Sequence, residues 1–228
     1  MKVEVFKKFS EEETLDMIRR VPLLEKVDGE DFVPYRDSQI AFDHLRPRSV
    51  NPTTFYLLRR QLEFQRELRK VLIDEYEIDT LNLEGAVNIS IDGGDPRVLF
   101  PPVVEVTSVP IESFGALALG NFAGQPELEY ERVFDRIKVP IVNDGMHRIW
   151  IADEDGISLT RVVYVTDPSE RFPFYAYPNG WNKIKIVDEV PKDPKDKKLY
   201  RLRNPKLLYR NFGVFNGSTM REGGQRSG

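Results

Sequence analysis

Residues 137–165, IKVPIVNDGMHRIWIADEDGISLTRVVYV, constrain this chain more than any other stretch. Two apolar runs, Val139–Val142 and Val162–Val165, flank five residues that combine an acid, a glycine, an imidazole and a guanidinium: Asp144-Gly145-Met146-His147-Arg148. Only two histidines occur in the chain, His44 and His147. One of the two side chains that titrate nearest neutrality therefore sits in this cluster. Two local readings fit. Asn143-Asp144-Gly145 and Asp155-Gly156 are both hairpin turn signals, which makes 137–165 a three-stranded meander. Alternatively Gly145 turns a buried strand into a short helix, and a polar group at the end of such a strand is where α/β proteins keep their chemistry.

The second reading is supported by a resemblance. An Asp-Gly-x-His-Arg sequence after an apolar strand, then a short helix with Ala152 and Gly156 at its end, then the strand Val162–Val165, resembles the core motif of the ParB/sulfiredoxin-like superfamily. Upstream, Leu99-Phe100-Pro101-Pro102-Val103-Val104 is similar to the strand that leads into the DGQHR core of DndB-like proteins. The superfamily also includes ParB-type nucleotide-binding domains and a free-serine kinase. The resemblance spans Leu99 to Val165 and implies an α/β (α+β) fold, a mixed sheet with flanking helices. It implies a nucleotide, ATP or another NTP, held with Mg²⁺, and in some branches phosphoryl transfer or hydrolysis. Where the family pattern has Gln, this chain has Met146. The cysteine of the sulfiredoxin branch is missing, as are a Gly-Glu-Arg-Arg-like phosphate motif and a helix-turn-helix pattern. Clamp-type CTP switching is not expected.

The residue chemistry agrees with a phosphate site. A helix opening at Gly145 presents free N–H groups and the positive end of its dipole. Gly145, Met146, His147 and Arg148 are the expected phosphate-binding residues, with Arg148 as the planar donor fork. Asp144 and His147 are the catalytic candidates, for metal or proton handling. Asp144 and Glu105 are the expected Mg²⁺ ligands, with Glu112 a further acid nearby.

Composition narrows the alternatives. The absence of cysteine excludes disulfides, thiol nucleophiles and Cys-type metal sites. No apolar run is long enough for a membrane span, and residues 1–20 carry no secretory signal. The expectation is a cytoplasmic protein without membrane partners. The net charge of −4 is unlike that of a dedicated duplex-DNA binder. A basic C-terminal stretch with Lys197, Lys198 and Arg201, and the aromatic run 171–181 with Arg171, Tyr175 and Trp181, nevertheless offer nucleic-acid contacts. The alternatives are a solvated terminus and an ordinary packed loop. Two further function classes follow. One is a DNA-associated regulator or nuclease-like module of a phage, mobile element or defence system. The other is a structural or assembly protein that forms a homo-oligomer or binds a partner through its C-terminal arm.

The rest of the chain divides into an N-terminal helical region (1–80), the core (81–190) and a basic arm with tail (191–228). Ser10 and Glu13 form a capping box for a helix to about Arg20. Residues 22–52 read as irregular and contain His44. Residues 53–77 form the clearest helix, with Leu62, Leu68 and Leu72 on a wide apolar arc. Its interleaved acids and bases suggest i, i+4 pairing within a solvent face. Strands are expected at 85–91, 98–106 and 183–187, with Asp92–Pro96 as a turn. Residues 114–124 read as a connector or a loop over the site, and 126–136 as a short helix. Residues 213–228 read as a frayed end.

Overall fold

A computed structural model describes residues 1–110, 131–133 and 136–216. The core is a five-stranded mixed sheet in the order β2-β9-β6-β8-β7. Its strands are β2 (Gln39–Leu45), β6 (Val103–Pro110), β7 (Glu131–Val133), β8 (Arg136–Asp144) and β9 (Thr160–Thr166). β6 pairs antiparallel with β8 and parallel with β9, so the chain must cross over between β8 and β9. That crossover is the helix α3 (Met146–Glu154). Central strands buried on both faces read as continuous apolar runs. This is why Val139, Ile141, Val142, Val162, Val163 and Val165 are all within 3% of full burial.

A second sheet, β1-β4-β5, joins β1 (Val3–Lys8), β4 (Val87–Ile91) and β5 (Arg97–Leu99). β3 (Tyr56–Leu58) pairs with β10 (Lys185–Val187). The boundary drawn at residue 80 is thus crossed by three pairings, β1 with β4, β2 with β9 and β3 with β10. The α/β expectation holds: a mixed sheet with flanking helices.

The helix α1 (Glu11–Arg19) opens on the capping box formed by Ser10 and Glu13. The long helix α2 covers Arg59–Tyr76, and the residues before it form β3 rather than a first helical turn. Leu62, Leu68 and Leu72 are its buried positions, as the apolar arc requires. The stretch 22–52 is less irregular than its prolines suggest, because Gln39–Leu45 forms the edge strand β2, where His44 is exposed. The expected strand 98–106 is two strands, since Pro101 and Pro102 lack the donors a continuous ladder needs. Within 126–136, residues 131–133 are strand rather than helix. The segment 114–124, expected as a connector or a loop over the site, and Glu112 lie outside the described residues.

Candidate phosphate site at the start of α3

Asp144 ends β8, and Gly145 turns the chain into α3 with φ +86°, ψ 18°. Strand–turn–helix, not a meander, is the geometry. The glycine is required twice over. Its φ belongs to the left-handed region that side chains disfavour, and a Cβ there would lie 2.8 Å from Pro102 Cβ and 2.9 Å from Pro102 Cα. Gly145 has no side chain with which to cap α3, and no acid occupies the first turn. The helix therefore offers its opening N–H groups and dipole to whatever lies in front of it.

In front of it is a cavity of about 290 Å³, walled by Val98–Phe100, by Asn143–Arg148 and by Gln65 from α2. Two buried polar atoms of this lining have no hydrogen-bond partner among the described residues: His147 Nε2 and Gln65 Oε1. Buried polar groups are almost always satisfied, so an orphaned donor or acceptor beside a cavity marks a place for a ligand or water. Burial pushes the His147 imidazole below its usual pKa. The nearby Asp144 opposes this shift and the Arg148 charge adds to it. At neutral pH the ring is uncharged, and it can hand over or accept one proton.

Arg148 departs from its expected role as a free phosphate fork. Its side chain is 4% exposed and donates to Asp144 Oδ2 at 3.1 Å and, through Nη1, to the Phe100 carbonyl. The guanidinium ties α3 to the segment entering β6 and holds the Asp144 carboxylate, which stays 45% exposed. Arg148 is therefore a positioning residue as much as a charge. Met146 packs beside Trp150 against the core.

Glu105 does not join Asp144 at a metal. It is fully buried, and its carboxylate accepts from Arg210 Nη2 (2.7 Å), Arg210 Nε (3.0 Å), Tyr35 Oη (2.7 Å) and Asn143 Nδ2 (3.1 Å). Three of these bonds fall on Oε2 and one on Oε1, so both oxygens are engaged by protein donors in a fully buried ion pair. Among the described residues no cluster of three His, Asp or Glu side chains suits a metal.

The expected nucleic-acid residues are dispersed. Tyr175 and Trp181 are buried, so neither can stack on a base: Tyr175 lies against Phe174 and Tyr209, and Trp181 donates to the Val50 carbonyl. Lys198 donates to Tyr175 Oη at 2.5 Å, and burial pulls its pKa down to about 8. Arg201 lies over the Tyr177 ring. Arg171 is exposed over Phe32 and Phe172, and the Lys197 carbonyl accepts from the Phe55 N–H. The side chain that sequence reasoning missed is Gln65. Its one signal was position, a neutral amide inside the apolar arc of α2, three residues after Leu62 and three before Leu68.

The β8–α3 junction of the mixed sheet thus presents Asp144, His147 and Arg148 to one cavity. The ParB CE domain family model matches residues 13–117 and 126–185, and the chain belongs to that family. No curated protein and no solved structure matches it. No helix of the described residues is long and apolar enough to cross a membrane.

Proposed function

We propose that this ParB-family protein binds the phosphates of a nucleotide at the start of α3, in the DGxHR manner that its sequence resembles. The observation that carries the reading is the pair of orphaned atoms, His147 Nε2 and Gln65 Oε1, at a cavity that faces an uncapped helix N-terminus. Phosphate oxygens accept from the N–H groups of the first turn and from a protonated His147 Nε2. Gln65 holds a polar edge of the ligand from the opposite wall. The cavity's volume matches the phosphate end of a nucleotide better than the whole molecule.

Among the described residues Asp144 is the one carboxylate lining this cavity. Mg²⁺ commonly binds through one or two carboxylates together with substrate phosphates. Here the ion would enter with the nucleotide, on the exposed Asp144 oxygen. The neutral His147 is suited to proton transfer in hydrolysis or in transfer to a small acceptor.

Isothermal titration with ATP, CTP and GTP, with and without Mg²⁺, tests the reading. The expected result is micromolar binding that His147→Leu and Gln65→Leu weaken, and whose Mg²⁺ dependence Asp144→Asn removes. Absence of binding by the folded wild-type protein would overturn it. Arg148→Ala is a poor probe, because it opens a buried ion pair.

A further inference from the structure

We propose a second ligand site at the opposite end of β6 and β8, where Arg136 and Arg201 face a cavity that accepts a small organic oxyanion. The cavity, about 290 Å³, is lined by Ser108 from β6, by Arg136 and Lys138 from β8, by Pro168 and Pro173 after β9, and by Arg201 from the C-terminal arm. Lys138 lies six residues before Asp144 on one strand, roughly 20 Å away at strand rise. The two sites are therefore separate.

The central observation is the Arg201 guanidinium. Its Nε and Nη2 are buried and have no hydrogen-bond partner among the described residues. These two atoms form one edge of the planar group, the edge that takes two oxygens side by side. The same edge is filled elsewhere in this molecule. Arg210 spends Nε and Nη2 on Glu105, and Arg69 spends Nε and Nη2 on Asp79. Each of those edges holds a carboxylate, whereas among the described residues the Arg201 edge holds none. Tyr177, with its ring centroid 4.4 Å from the guanidinium carbon, orients the group, and its hydroxyl favours the charged form.

The surroundings favour an anion. Burial most of all disfavours the charged form of Arg201 and the Arg136 charge adds to this, against the opposing pull of Tyr177 and Glu105. Arg136 is held by Ser108, donating through Nε to Oγ (2.7 Å) and through Nη2 to the carbonyl (3.1 Å). Two acids also line the cavity, Asp167 and Glu170, and both are exposed. Asp167 lies 3.7 Å from Lys138 Nζ. Water screens these exposed charges, whereas the buried guanidinium edge has no such relief. Val106, Pro168 and Pro173 supply apolar wall. The ligand class is a carboxylate or phosphate head on a short apolar body.

The test uses the full chain, inorganic phosphate and succinate as probes, and sodium chloride at matched ionic strength as the control. Calorimetry measures affinity, and the arginine ¹⁵Nε–Hε spectrum reports the site. The expected result is saturable binding of at least one probe with displacement of the Arg201 resonance. Arg201→Gln and Arg136→Gln should each weaken that binding at least about tenfold, and the exposed Arg171→Gln should not. Arg201→Lys keeps the charge but not the paired edge, and it serves if the glutamine variants fail to fold. Response to phosphate alone or to succinate alone identifies the head group. An Arg201 resonance unmoved by both probes would overturn the proposal, including the case in which phosphate binds only in front of α3.

Discussion

Two partly buried basic side chains, His147 and Lys198, both make stability rise with pH, each in its own window. The folded state lowers the His147 pKa, so the unfolded chain takes up its proton first as pH falls through about 6.5. His147 therefore contributes stability above that pH and loses it below. A histidine NMR titration should show His147 ionising below 6.5, with ligand affinity level across pH 7–8. For Lys198 burial holds the folded pKa at about 8, against the ordinary lysine value of 10.5. Between those values the unfolded chain binds more protons than the folded one, so stability rises with pH. Urea denaturation at pH 8 and pH 9.5 should differ by about 1.5 kcal/mol in favour of the higher pH, and Lys198→Met should flatten the difference. The Asp144–Arg148 cluster was legible in sequence because its residue types are rare together. The burial of Lys198, Tyr175 and Trp181 was not, because a basic and aromatic run looks the same whether it coats a surface or fills a core. Glu105 carries the same lesson. It was expected at the end of a strand and beside Asp144, but it lies near the start of β6, paired with Arg210 more than a hundred residues away, which is a fact of tertiary structure.

At the level of elements, the turn into α3 decides whether the site exists. Gly145 and Gly156 both have positive φ, +86° and +68°, but only Gly145 has neighbours where a Cβ would go. Gly156→Ala should cost about 1 kcal/mol, the left-handed penalty alone. Gly145→Ala must also displace Pro102, and should cost about 3 kcal/mol and weaken nucleotide binding. Equilibrium denaturation of the two variants separates these effects. The far end of α3 shows what helix periodicity leaves out. Asp153, Glu154 and Asp155 gather where the dipole is negative, an unfavourable place for acids. Arg48 pairs with Asp153, Arg66 with Glu154 and Asp155, and Arg69 with Asp155 as well as Asp79. The charged face of α2 was expected to pair along itself, yet Lys70–Asp74 is its i, i+4 pair among the described residues and the arginines reach across to α3. The apolar arc of α2 was readable from spacing. The destination of its charged face was not, because two elements distant in sequence supply the partners.

On the scale of the whole molecule, the C-terminal arm behaves as part of the core. Leu208 is buried with Val109, Ile137, Val139 and Ile141 of the main sheet. The backbone is stitched to distant segments: Leu24 N–H donates to the Tyr209 carbonyl (2.7 Å), Asn211 N–H to Pro22 (2.8 Å) and Arg201 N–H to Tyr175 (3.0 Å). The fastening is Arg210, which pairs with Glu105 and also donates to the carbonyls of Phe172, Pro173 and Leu208. Both side chains of the pair are fully buried. Burying two charges is costly even when they meet well, whereas removing one leaves the other charged, dry and unpaired. Arg210→Ala should therefore destabilise the fold by about 3–5 kcal/mol, a large part of the stability of an ordinary domain. Replacing both partners with apolar side chains, Glu105→Leu with Arg210→Met, should cost less than the two single changes added together. Part of the loss remains in the double variant, since Tyr35 Oη and Asn143 Nδ2 give up an acceptor and three carbonyls give up a donor. Urea denaturation of the four proteins gives the coupling energy directly. A strong coupling makes the arm a folding element that also carries Arg201 to its cavity. An Arg210→Ala cost below about 1 kcal/mol would instead make the arm a surface appendage, and would remove the reason for Arg201 to be held where it is.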